Sequence, residues 1–187
     1  MAMFQKRPAL LDAESYIERG MIFFNRGDFH LAILDFSEAI RLDPGATAAF
    51  TNRGYAHGWV DEFENALADL TEAIRLDPKS AKAHFGTGIT HFWMGDLNSA
   101  IVNLTEAIRL DHNCVLAYFS RGNAYFYTGD IERAIADYDQ TIRLATYFEM
   151  AFTDPGYEDI EKYDFDSILA ADFEAALRSG QSHTAAE

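Results

Sequence analysis

Glu38-Ala39-Ile40-Arg41-Leu42-Asp43 returns as Glu72-Ala73-Ile74-Arg75-Leu76-Asp77 and again as Glu106-Ala107-Ile108-Arg109-Leu110-Asp111, each copy 34 residues after the last. A weaker fourth copy, Gln140-Thr141-Ile142-Arg143-Leu144-Ala145, falls where a fourth is due. Self-similarity at one fixed period means a stack of like supersecondary units, so the period decides the fold before local propensity is consulted.

Working outward from the phrase gives four units, 13–46, 47–80, 81–114 and 115–148. Glycine fills the eighth place of each (Gly20, Gly54, Gly88, Gly122) and alanine the twentieth (Ala32, Ala66, Ala100, Ala134). An aromatic ring or a histidine fills the fourth place (Tyr16, Phe50, His84, Tyr118) and the eleventh (Phe23, His57, His91, Tyr125). Small residues at fixed places let two helices approach closely, and bulky ones fill what remains.

The pattern resembles the tetratricopeptide repeat, over about three quarters of the chain. The resemblance implies an all-α, right-handed α-solenoid of helix–turn–helix units with a C-terminal helical cap. Turn chemistry agrees with it. Gly27-Asp28, Gly95-Asp96 and Gly129-Asp130 end a first helix and begin a second, whereas Asp61-Glu62 lacks the glycine. Asp43-Pro44 and Asp77-Pro78 close two units; His112 and Thr146 stand where the next prolines belong. The third junction is therefore expected to be looser, and the last second helix to run on past Leu144.

Residues 149–187 depart from the pattern. Ala171-Asp172-Phe173-Glu174-Ala175-Ala176-Leu177-Arg178 echoes Ala68-Asp69-Leu70-Thr71-Glu72-Ala73-Ile74-Arg75, and Asp154-Pro155-Gly156 breaks the expected fifth first helix. The reading is a degenerate fifth unit: an acidic loop, then a capping helix near 166–178 with a frayed end. A competing reading has Tyr157, Tyr163 and Phe165 fold back as a plug over the chain's own groove.

Composition excludes several classes. The chain has 187 residues, 49% of them apolar, enough for one elongated core. No apolar run approaches the roughly 20 residues that cross a bilayer, so no membrane span is expected. Lys6 and Arg7 are followed by no signal-like apolar stretch. The lone Cys114 forms no internal disulfide framework. These features point to the cytoplasm. The net charge of −15 argues against nucleic acid, which needs clustered Lys and Arg.

In proteins of the family, first helices line a concave groove through places 2, 5, 6, 9, 12 and 13 of each unit. Carried onto this sequence, those 24 places hold nine aromatic residues and three charged ones, Glu14, Glu18 and Lys82. The candidate binding residues are Asn52, Tyr55, Trp59, Lys82, Phe85, Trp93, Phe119, Asn123 and Tyr127. Rings in a concave surface are common anchors of protein recognition. The expected partner is a protein or peptide with apolar anchors, and the expected function a non-catalytic adaptor or scaffold. The alternative is a homo-oligomer whose groove or ends pair with another copy. Phe24, Phe92 and Phe126 at place 12 read as core packing. Gly58 and Gly86 fall inside first helices, where they either open a pocket between rings or admit a close helix approach.

Catalysis, metal and cofactor find little support. The chaperone-tail clamp of one subfamily is not reproduced, because Ile17, Met21 and Gly86 replace three of its polar residues. His57 and His91 occupy equivalent places one packing layer apart, nominally 8–10 Å, too far for one ion. Cys114 has His112 nearby but nothing to orient that base. No calcium ladder and no phosphate-binding glycine loop occurs, so no cofactor is expected.

Overall fold

The computed structural model describes residues 12–152, in eight helices: α1 (Ala13–Asn25), α2 (Phe29–Leu42), α3 (Thr47–Trp59), α4 (Phe63–Leu76), α5 (Ala81–Trp93), α6 (Leu97–Leu110), α7 (Val115–Tyr127) and α8 (Ile131–Phe152). The expected capping helix near 166–178 and the aromatic plug lie outside the described residues. The chain divides into two compact units, Met1–Ala145 and Thr146–Glu187; the repeats occupy the first.

Each repeat is one odd-numbered and one even-numbered helix packed antiparallel. Places 20, 24 and 27 form the seam. Ala32, Phe36 and Ala39 are wholly buried, as are Ala66, Leu70 and Ala73, and Ala100, Leu104 and Ala107. The glycine at place 8 faces the bulky residue at place 24. A Cβ built on Gly20 would stand 2.6 Å from Phe36, on Gly54 2.7 Å from Leu70, and on Gly88 2.7 Å from Leu104. A methyl group there would force the helices apart, which overpacks the seam.

The turns follow from local chemistry. Gly27, Gly95 and Gly129 take left-handed φ values of 79°, 80° and 82°, closing each first helix. Asp61 takes the same role at φ 60°, the one non-glycine residue with positive φ among the described residues. Between repeats, Asp43, Asp77 and Asp111 end the second helices in extended conformation. Their Oδ1 atoms accept from the backbone N–H of Gly45, Lys79 and Asn113 at 2.9–3.0 Å. The third junction, expected to be looser without its proline, keeps the same geometry. The aspartate sets this turn and proline only reinforces it. No proline follows Leu144 within the helix, and α8 runs 22 residues.

Successive first helices touch one another (α1 with α3, α3 with α5, α5 with α7), whereas α2, α4 and α6 do not touch each other. The first helices are therefore the inner, tighter layer of the stack. Their exposed face is where the sequence places the candidate groove.

Candidate functional site

Two ring systems join the repeats. Phe24 meets Phe29 edge-on at 5.2 Å; Phe29 stacks on Trp59 at 5.7 Å with 7° between planes. Trp59 meets Trp93 edge-to-face at 5.7 Å, and Trp93 reaches Phe63 at 6.3 Å. This row runs along the edge where first helices end and second helices begin, across repeats one to three. A shorter group follows: Phe92 with Tyr127 at 5.9 Å and Tyr127 with Phe126 at 5.7 Å. Pairs of this kind contribute about 0.5–1.5 kcal/mol each beyond buried area.

Burial separates the candidates. Trp59 remains 40% exposed and Tyr127 44%, and Phe126 is exposed as well. Trp93 is half-buried and joins the core around Leu104. Its ring lies over Gly58, where a Cβ would come within 2.9 Å of the indole. Tyr55 lies over Gly86, where a Cβ would stand 2.5 Å from the ring, and the Tyr55 hydroxyl donates to the Lys82 carbonyl at 2.5 Å. Both glycines thus seat a neighbouring repeat's ring, and the pocket reading of them fails. Phe85 packs edge-on to Tyr55 at 6.4 Å. Lys82 on α5 is exposed, and Asn52 on α3 is half-buried. Phe119 packs on Tyr138 at 6.1 Å, and Asn123 Oδ1 accepts from the Tyr138 hydroxyl at 2.9 Å. Of the place-12 residues, Phe24 and Phe92 are half-buried, as core packing requires, and Phe126 is not.

Sequence reading missed a repeated charge clasp. Arg19, Arg53 and Arg121 at place 7 each donate two hydrogen bonds to the aspartate sixteen residues on: Asp35, Asp69 and Asp137, at 2.6–2.8 Å. Those aspartates are buried. Planar two-point pairing of guanidinium with carboxylate fixes both groups. Each arginine also lies over the ring at place 4: Tyr16, Phe50 and Tyr118. Arg53 reaches back to Ser37 of repeat one at 2.9 Å, and Arg121 to Thr105 of repeat three at 3.1 Å, so the clasp also joins repeats. Burial works to lower the Arg121 pKa, but Asp137 outweighs it and holds the guanidinium above its ordinary value. Repeat three lacks all three elements, with His84, Thr87 and Asn103 in those places. Thr87 and Asn103 instead donate to carbonyls of their own helices, Ala83 and Ser99. The recurring Arg–Asp spacing was the available signal.

The histidines bind locally. His57 Nδ1 pairs with Glu62 at 2.6 Å and His91 Nδ1 with Asp96 at 3.6 Å. Among the described residues no three His, Cys, Asp or Glu side chains gather as a metal site. Burial pushes the Cys114 thiol up, away from the reactive thiolate. No helix among the described residues is long and apolar enough to cross a membrane.

Comparison with known proteins accords with this geometry. The tetratricopeptide-repeat pattern matches residues 13–46 and 115–147, and a second pattern described as TPR repeat matches 91–129. No curated protein matches the sequence. A crystal structure of MamA is 24% identical with a TM-score of 0.66, covering 74% of this chain and 81% of that one. MamA from Desulfovibrio magneticus RS-1 is 20% identical at 0.64, covering 73% and 77%. The Cut9–Hcn1 hetero-tetramer of the APC/C is 20% identical at 0.68, covering 72% of this chain and 26% of that one. At these identities the likeness is one of fold. With eight helices among the described residues, a 34-residue period and these matched segments, the chain is an all-α solenoid of the tetratricopeptide-repeat family.

Proposed function

We propose that this chain is a cytoplasmic, non-catalytic adaptor that takes apolar side chains of a protein partner on its inner helical face. Tetratricopeptide repeats are protein-interaction scaffolds, and the exposed rings of the first helices suit that role. The observation that carries the reading is Trp59. It is 40% exposed while its neighbours Phe29 and Trp93 hold it in a fixed orientation. A rigid, amphipathic ring loses little entropy on binding and offers about 150–250 Å² of surface. At about 25 cal/mol/Å², covering the exposed part contributes roughly 1.5–2.5 kcal/mol. Tyr127 offers the same at the fourth repeat.

Two kinds of ring serve in this proposal. Trp59 and Tyr127 meet the partner, whereas Trp93, Tyr55 and Phe85 hold the repeats in register behind them; Asn52 and Lys82 supply polar contacts beside the rings. Phe119 and Asn123 act through Tyr138. The test compares partner capture by Trp59→Ala and Tyr127→Ala with capture by the native chain, circular dichroism confirming the fold of each. Lost capture with intact helices supports the proposal. Native-level capture by the Trp59→Ala, Tyr127→Ala double variant ends it.

A further inference from the structure

Charge is unevenly placed around the ring row. At the edge holding it, residues 26–32, 60–66, 94–100 and 128–134 carry seven acids and two arginines, a net −5. At the opposite edge, residues 12–15, 42–49, 76–83 and 110–117 carry five acids and two lysines, a net −3. The helix macrodipoles do not alter this balance. First helices end and second helices begin at the same edge, so their partial charges cancel. Asp28, Glu62, Asp96 and Asp130 precede successive second helices, so one carboxylate recurs in every repeat.

Asp61 is the informative member. The equivalent turn residue is glycine in the other three repeats, yet here an aspartate occupies the left-handed region at φ 60°. That conformation is less favourable for a residue with a Cβ than for glycine. Its carboxylate is exposed two residues after Trp59, and no hydrogen bond or ion pair fixes it among the described residues. The fold does not need this acid, and it follows the exposed Trp59 by two residues.

Resting on the docking surface proposed above, we infer that the partner is a cationic segment in which Lys or Arg alternates with apolar side chains. The apolar groups meet Trp59 and Tyr127. The cations lie against the indole and the carboxylate rim at Asp28, Asp61 and Asp96. In water, each carboxylate about 7 Å from an ammonium contributes about a twofold to threefold factor in affinity at low salt. Three together give roughly tenfold, and salt screens it.

The test titrates the full chain with three synthetic peptides of one apolar pattern, carrying Lys, Gln or Glu at the alternate positions. Intrinsic tryptophan fluorescence reports binding, since Trp59 and Trp93 are the only tryptophans. The lysine peptide is expected to bind about tenfold tighter than the glutamine peptide at low salt, and the glutamate peptide weakest. The combined Asp28→Asn, Asp61→Asn, Asp96→Asn variant should remove that advantage. Asparagine caps helices and tolerates left-handed φ, so the fold is kept. Equal binding of the lysine and glutamine peptides overturns the charge inference and leaves the aromatic docking surface standing. Binding of none overturns both.

Discussion

The Arg–Asp clasps predict a graded response. Each pair is the same two-point interaction, but the arginine is sheltered differently: its side chain is 15% exposed at Arg121, 21% at Arg53 and 47% at Arg19. The aspartates are equally buried, their side chains 8–9% exposed. A hydrogen bond to a charged group is worth about 1.5–3 kcal/mol, and an exposed pair much less. Double-mutant cycles with Arg→Met and Asp→Asn at each site should therefore give coupling of about 2–3 kcal/mol at Arg121–Asp137. Slightly less is expected at Arg53–Asp69, and the smallest value at Arg19–Asp35. With a urea slope near 2 kcal/mol/M, the largest corresponds to a midpoint change of about 1 M. The Asp137→Asn variant alone should lose more stability than the Asp35→Asn variant, because it strands a sheltered cation. Equal couplings at all three sites, or a largest coupling at Arg19, would refute the reasoning that burial sets their strength. The same logic runs forward at repeat three. Thr87→Arg with Asn103→Asp should show favourable coupling of about 1–2 kcal/mol, either substitution alone being neutral or destabilising.

Three further outcomes follow from single positions. Gly86→Ala gains about 1 kcal/mol of helix propensity but drives a methyl to 2.5 Å from Tyr55 and 2.8 Å from Leu70. It should lower stability by about 1–2 kcal/mol in chemical denaturation, and a gain would contradict the seating described for Tyr55. Asp61→Gly should raise stability by about 1 kcal/mol by relieving the left-handed turn, measured in the same assay; no gain would show the turn unstrained. The side chain and then the backbone amide of Ser15 hold the Asp12 carboxyl below the ordinary carboxylate range, and those of Ser99 do the same for Asp96. Because their folded pKa is depressed, their contribution is present above about pH 4 and is lost as pH falls through the folded value. Replacing both by Asn should flatten the acid limb of the stability–pH curve, and an unchanged limb would count against them.

Most of the fold was legible because a period survives where individual propensities do not. Gly20, Ala32 and Ala39, with their counterparts in the later repeats, map onto the seam between paired helices, and Asp43, Asp77 and Asp111 onto turns. Which rings pack and which stay open was not legible. Trp59 and Trp93 hold the same place in their repeats, yet Trp93 is half-buried over Gly58 and Trp59 stays exposed beside Phe29. That difference depends on side chains of neighbouring repeats, which a single-repeat alignment does not register. The clasps were overlooked for a related reason. Arg19 and Asp35 look like ordinary surface charges until their spacing is followed to Arg53 with Asp69 and Arg121 with Asp137.

The most direct test of the docking surface is site-specific photo-crosslinking, with a photoreactive phenylalanine placed in turn at Trp59 and Tyr127 on first helices and at Leu34 and Val102 on second helices. All four side chains are exposed, so accessibility alone does not separate them. Partner adducts from positions 59 and 127, and none from 34 and 102, are the predicted result. Adducts confined to positions 34 and 102, or equally strong at all four, would contradict it.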